Sequence, residues 1–127
     1  MRWQKLYMLT LWAQGIYTFF TAVWPIVDIE SFMLVSGYKT DIWLVKTVSI
    51  LLIAVSVCLL INTSSVHPTL SIIILALLVA VGMAYVDFYY SLNGTISKIY
   101  MADGFVEILF IISWLIILIK NPAFKRD

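Results

Sequence analysis

The chain has 127 residues, of which 63% are hydrophobic and 12% are charged, and its mean hydropathy is +1.03. Soluble domains average about half apolar and about a quarter charged residues, so the composition excludes a disordered chain, a disulfide-stapled secreted module and an ordinary cytosolic enzyme. The net charge of +1 gives no pull toward nucleic acid. Since a spanning helix uses about 20 apolar residues, the chain has room for up to about four spans.

The first apolar stretch covers residues 6–26 and carries tryptophan near both ends, which is typical of the aromatic belts of membrane helices. Residues 27–41 are too polar to span a membrane. Within them, Asp28 is a candidate helix cap and Gly37 is a candidate helix end. The segment therefore predicts a short helix that lies in the membrane interface.

Three further apolar stretches follow, at residues 42–61, 69–90 and 100–119. Each has the length of a membrane-spanning helix. Turns rich in loop-forming residues separate them, at 62–68 and 91–98. The sequence thus predicts that the whole chain is one all-α domain, a polytopic membrane four-helix bundle with a short interfacial helix between spans one and two.

Within each predicted span, small or polar residues recur every three or four positions and therefore share one helix face. Membrane helices pack through such faces, because small residues let backbones approach and polar groups find partners inside the bundle. In chain order the four faces are Gln14, Thr18, Thr21 and Pro25; Lys46, Ser49, Ile53 and Ser56; Ala76, Ala80, Ala84 and Asp87; and Asp103, Glu107, Phe110 and Trp114. We expect these faces to converge on the bundle axis.

Four charged residues lie inside the predicted spans: Lys46, Asp87, Asp103 and Glu107. At 1.5 Å per residue, each is within about 10 Å of the helix end on the side of the membrane opposite the chain termini, which we call the external side. A charge at this depth is costly. One ammonium faces three carboxylates, so we expect one carboxylate to pair with Lys46. At least one other should be protonated, hold a cation or reach external water. The pattern predicts a polar, acidic ligand pocket in the external third of the bundle.

Four more residues are predicted to line this pocket. Asp41 precedes span two, just above the charged residues, and Gln14 belongs to the polar face of span one. Trp24 and Tyr90 either anchor their helices at the membrane interface or wall the mouth of the pocket.

Single copies of cysteine and histidine, Cys58 and His67, restrict the chemistry of the chain. One cysteine excludes an intrachain disulfide, a redox pair and a multi-thiolate metal site. One histidine is too few for haem held between two histidines or for a zinc site built from several imidazoles. The sequence therefore predicts no cofactor and no bound metal.

Basic residues at the chain ends predict the orientation of the spans. In the connections on the side of the membrane opposite the termini, the basic residues are Lys39 and Lys98. The basic residues that flank the first and last spans are Arg2, Lys5, Lys120, Lys125 and Arg126. We therefore expect a multi-pass protein with both termini in the cytoplasm.

Residues 24–26 with 37–48, together with residues 100–107, resemble a group of small bacterial four-span proteins that carry no assigned activity. This resemblance would cover nearly the whole chain and implies a protein of the bacterial inner membrane. Residues 27–30 and 120–122 are more distantly similar to the EXPERA group, which includes sterol isomerases and the sigma-2 receptor. The architecture is similar to that of DoxX-like four-span proteins.

Three functions stay open from the sequence. The first is a membrane protein that binds or transports a small amphipathic or lipid-like ligand with a polar or cationic group. The second is an isomerase-like enzyme that uses paired carboxylates on a lipophilic substrate. The third is a structural subunit of a membrane complex, whose charges set helix register. The lipid bilayer is the expected partner in each case, and the uncovered surface of a small bundle is compatible with a homo-oligomer.

Overall fold

A computed structural model of the protein describes residues 2–65 and 67–121. The described parts contain helices and no strands. The helices are α1 (Arg2–Val27), α2 (Ile29–Ser36), α3 (Ile42–Asn62), α4 (Leu70–Leu92) and α5 (Ile99–Lys120). By length and composition, α1, α3, α4 and α5 can each cross a membrane. The predicted fold class is therefore confirmed, and the chain is built as a multi-pass membrane protein.

The observed helices begin and end close to the predicted limits. The largest difference is at the start, where α1 begins at Arg2 although the apolar stretch begins at residue 6. Helix α1 also continues through Pro25 to Val27. The predicted polar tail lies outside the described residues from residue 122 onward, and with it Lys125 and Arg126, which contribute to the predicted orientation.

Helix α2 begins and ends at the predicted residues. The side chain of Asp28 accepts a hydrogen bond from the backbone N–H of Ser31 at 3.2 Å, which caps the first turn. Gly37 ends the helix with φ of +100°, a left-handed conformation that favours glycine, and its N–H donates to the carbonyl of Met33 at 2.8 Å. The short helix between spans one and two is therefore confirmed.

Lys39 ties the loop after α2 to the beginning of α5. Its Nζ donates to the carbonyls of Ser36 and Gly37 at 3.3 and 3.1 Å. The same Nζ lies 5.4 Å from the ring centroid of Phe32 and 5.1 Å from that of Tyr100. A cation at a helix C-terminus and beside aromatic rings is stabilised by both, so α2 is held near the α5 end of the bundle.

The four long helices form a bundle in which each contacts at least two others. Helix α1 packs against α3 and α5, α5 packs against α4, and α3 makes a smaller contact with α4. The alanine stripe of α4 (Ala76, Ala80 and Ala84) is buried, as predicted. Two of the largest side chains in the core are Leu11 of α1 and Trp114 of α5, both fully buried.

Gly104 lets α4 and α5 approach closely. A Cβ atom at this position would lie 2.7 Å from Cε2 of Phe88, whose ring also packs edge-on against Phe105 at 5.2 Å. Gly82 of α4 offers a matched comparison, because nothing lies within 4 Å of a Cβ atom built there.

We expect Gly104→Ala to be less stable than Gly82→Ala by about 1–3 kcal/mol, the usual cost of overpacking. Both variants gain the same helix propensity, so the difference between them isolates the clash with Phe88. Thermal unfolding in detergent measures it. Equal melting temperatures for the two variants would show that α4 and α5 are not in close contact at Gly104.

Candidate functional site

Three helices bring acidic and phenolic side chains together in the half of the bundle that contains the start of α5. The hydroxyl of Tyr17, from α1, donates a hydrogen bond to Oδ1 of Asp103. Asp87, from α4, is buried, and its neighbour Phe88 lies against Gly104, the residue that follows Asp103 on α5. Glu107, also from α5, is buried. We refer to Asp87, Asp103 and Glu107 as the carboxyl cluster.

Local sequence explains why these side chains meet. Asp103 and Glu107 are four residues apart on α5, so they lie on one helix face. Asp87 continues the buried alanine stripe of α4, which places it on the helix face that packs in the bundle. Gly104, next to Asp103, lets the two helices approach. The predicted convergence of the three acids is therefore present in the structure.

The carboxyl cluster is buried and incompletely bonded. The side chains of Asp87 and Glu107 are only 1% and 4% exposed, whereas Asp103 is half-buried. Oδ2 of Asp87 and Oε2 of Glu107 have no hydrogen-bond partner within the described residues. A buried polar atom without a partner costs about 1–3 kcal/mol, and more when it is charged. These two oxygens are therefore acceptors that lack donors.

Lys46 does not supply the missing charge, so the expected ion pair with a carboxylate is wrong. Its side chain is exposed on α3 and forms no ion pair or side-chain hydrogen bond with any residue in 2–65 or 67–121. The reason is the packing of α3, which lies mainly against α1 and only lightly against α4. Ser49 and Ser56 of the same predicted face are buried, whereas Lys46 stands outside the contact.

Gln14 is buried, but its amide is used for helix packing. Its Nε2 donates to the carbonyl of Ala76 on α4 at 3.0 Å. Its Oε1 accepts a hydrogen bond from the indole Nε1 of Trp114 on α5 at 2.6 Å. One side chain of α1 thus joins α4 and α5, and it makes no hydrogen bond with the carboxyl cluster.

Asp41, Trp24 and Tyr90, the remaining predicted pocket residues, are exposed in the structure. Asp41 is exposed at the start of α3 and makes no capping hydrogen bond. Trp24 donates from its indole nitrogen to Oγ of Ser31 at 2.8 Å and so joins α1 to α2. Tyr90 is more than one-third exposed, and its ring contacts Tyr89. None of the three has a hydrogen bond or ring contact with the three acids.

Tyr17 is the site residue that sequence reasoning missed. It lies three residues after Gln14 and four before Thr21, so its position on the polar face of span one could have indicated it. A tyrosine in an apolar stretch resembles a packing residue, however. Its ring does pack edge-on against Phe110 at 5.9 Å, while its hydroxyl reaches Asp103.

The surface has two open depressions, and neither is lined by the carboxyl cluster. One is lined by Glu30, Met33, Leu34 and Tyr38 around α2. The other lies on the last turns of α1 and is lined by Phe20, Thr21, Val23, Trp24 and Val27. Of the predicted pocket residues, Trp24 lines the second of these two depressions.

The carboxyl cluster can hold a proton or a positively charged group, since all three side chains are acceptors when ionised. Within residues 2–65 and 67–121, no three histidine, cysteine, aspartate or glutamate side chains are arranged to hold a metal ion.

No family model, curated protein or solved structure matches the chain. The function must therefore be argued from the site itself.

Replacement of Gln14 tests the packing role that the structure gives it. Gln14→Leu removes the acceptor of the buried Trp114 N–H, and we expect a loss of about 1–3 kcal/mol in unfolding free energy. In a Trp114→Phe background the same replacement should cost less, because no indole N–H is left unpaired. Unfolding of all four proteins in detergent measures this coupling. An equal cost in both backgrounds would contradict the hydrogen bond.

Proposed function

We propose that the protein binds or transports a small amphipathic or lipid-like ligand, whose cationic group meets the carboxyl cluster. The observation that carries this proposal is the pair of buried acceptors, Oδ2 of Asp87 and Oε2 of Glu107, which have no partner in the described part of the chain. Lys46 of α3 is exposed. A positive group brought by a ligand would satisfy both the charge and the hydrogen bonds.

The surroundings of the carboxyl cluster favour a ligand with an apolar part. Three of the four long helices, α1, α4 and α5, contribute to the site, and each is apolar enough to face lipid. Asp103 is half-buried, so a ligand can reach the cluster at this residue. On α1, the depression at Phe20, Thr21 and Trp24 begins one turn from Tyr17. An alkyl chain lying there would keep its charged end near Asp103.

The resemblance to small bacterial four-span proteins supports a place in the bacterial inner membrane. The excess of basic residues at the chain ends supports cytoplasmic termini. In this orientation, the carboxyl cluster opens toward the external side, because Asp103 lies near the beginning of α5. The exposed face of α3 leaves room for a second copy of the chain.

Native mass spectrometry of the full chain, extracted from bacterial membranes in mild detergent, tests the proposed function. We expect a one-to-one adduct of a cationic amphiphile on the unmodified protein. The double variant Asp87→Asn/Glu107→Gln keeps the shape of both side chains and should lose the adduct. Glu30→Gln is the matched control, because it removes an exposed carboxylate on α2 outside the site.

Two results would contradict the proposed function. One is an unmodified protein that carries no adduct after extraction under these conditions. The other is an adduct that the double variant keeps at the same level as the Glu30→Gln control, since the ligand would then lie elsewhere on the protein.

A further inference from the structure

The unsatisfied groups of the carboxyl cluster are hydrogen-bond acceptors, and this restricts the cation that fits them. Asp87 and Glu107 are both more than nine-tenths buried, and each has one side-chain oxygen without a donor. The donor that the chain does supply, the hydroxyl of Tyr17, is directed to Asp103. Among the described residues, Oδ2 of Asp87 and Oε2 of Glu107 therefore lack an N–H or O–H donor.

We infer that the ligand is an ammonium ion that carries N–H groups, a primary or secondary amine in its protonated form, and that it enters in exchange for a proton. This inference rests on the proposed function and specifies the class of ligand. Two N–H groups on one nitrogen could serve the two acceptors, Oδ2 of Asp87 and Oε2 of Glu107. A quaternary ammonium has charge but no N–H, so it would leave both oxygens without donors.

The proton in this exchange comes from the carboxyl cluster. Asp87 and Glu107 are more than nine-tenths buried and lie with Asp103 on the packed faces of α4 and α5, so burial and mutual repulsion oppose ionisation of all three carboxyl groups at once. When the ammonium binds, that proton leaves to bulk water and the N–H groups take its place. One positive charge enters and one leaves, so the net charge of the site does not change.

Other ionisable groups around the site are accounted for. Tyr17 from α1 donates a hydrogen bond to Asp103. Glu107 is the buried acid of α5. Lys39, from the loop after α2, is engaged by the carbonyls of Ser36 and Gly37. Lys46 of α3 is exposed. No described basic side chain is therefore in place to take the role of the ligand.

Titration calorimetry of the purified full chain in detergent tests the inference with two defined probes, octylammonium and octyltrimethylammonium. The probes share one alkyl chain and one charge and differ in their N–H groups. We expect octylammonium to bind at least about tenfold more tightly, the effect of losing a hydrogen bond to a charged group. Measured in two buffers of different ionisation enthalpy, its binding should release about one proton per ligand.

The possible outcomes separate this inference from the proposed function. Equal affinities for the two probes would overturn the inferred N–H requirement and leave a cation site in place. Tight binding of octylammonium without proton release would overturn the exchange. Absence of binding by both probes would count against the proposed function itself. All of these results come from the unmodified protein, so they do not depend on the folding of a variant.

The carboxyl variants then locate the binding. Asp87→Asn/Glu107→Gln should abolish the preference for octylammonium and the release of the proton, whereas Glu30→Gln should retain both. A double variant that folds and still shows the full preference would place the N–H requirement outside the carboxyl cluster and would contradict the inference.

Discussion

Polar groups inside this bundle must find partners within it, because the interior of a membrane supplies no water to bond them. Gln14 meets this requirement completely, since its amide joins the carbonyl of Ala76 to the indole of Trp114 and so links α1, α4 and α5. Nearer the start of α5, the same three helices meet again at the carboxyl cluster. There the hydroxyl of Tyr17 donates to Asp103, and one oxygen each of Asp87 and Glu107 has no hydrogen-bond partner among the described residues. The proposed function depends on this difference between the Gln14 amide, which has its partners, and the carboxyl cluster, which lacks donors among the described residues.

Much of the fold could be predicted from the sequence, because hydropathy and turn chemistry are local properties. The four spans, the cap at Asp28 and the left-handed Gly37 follow from residue type and spacing. The convergence of the three acids was also predictable from helical periodicity. Lys46 was not, because periodicity cannot give the rotation of α3 against its neighbours, and α3 packs mainly on α1. Tyr17 shows the same limit, since its hydroxyl finds Asp103 only through tertiary packing.

The position of Lys46 changes the chemistry that the site can perform. Had it reached the cluster, the pair would resemble the buried ion pairs that set helix register in many proteins. Its exposure leaves the acids of α4 and α5 without a cation from the described chain, while Lys39 is held in the loop after α2 by carbonyls and rings. In the proposed exchange, the balancing charge is a proton in the ligand-free state and the ammonium group in the ligand-bound state.

In the mechanism we propose, the ligand-free carboxyl cluster holds a proton. Infrared spectroscopy of the purified protein measures this directly, because protonated and ionised carboxyl groups absorb at different frequencies. The account predicts a protonated-carboxyl band at neutral pH that is absent from Asp87→Asn/Glu107→Gln and that disappears when octylammonium is added. A ligand-free protein in which every carboxyl group of the cluster is ionised would contradict it.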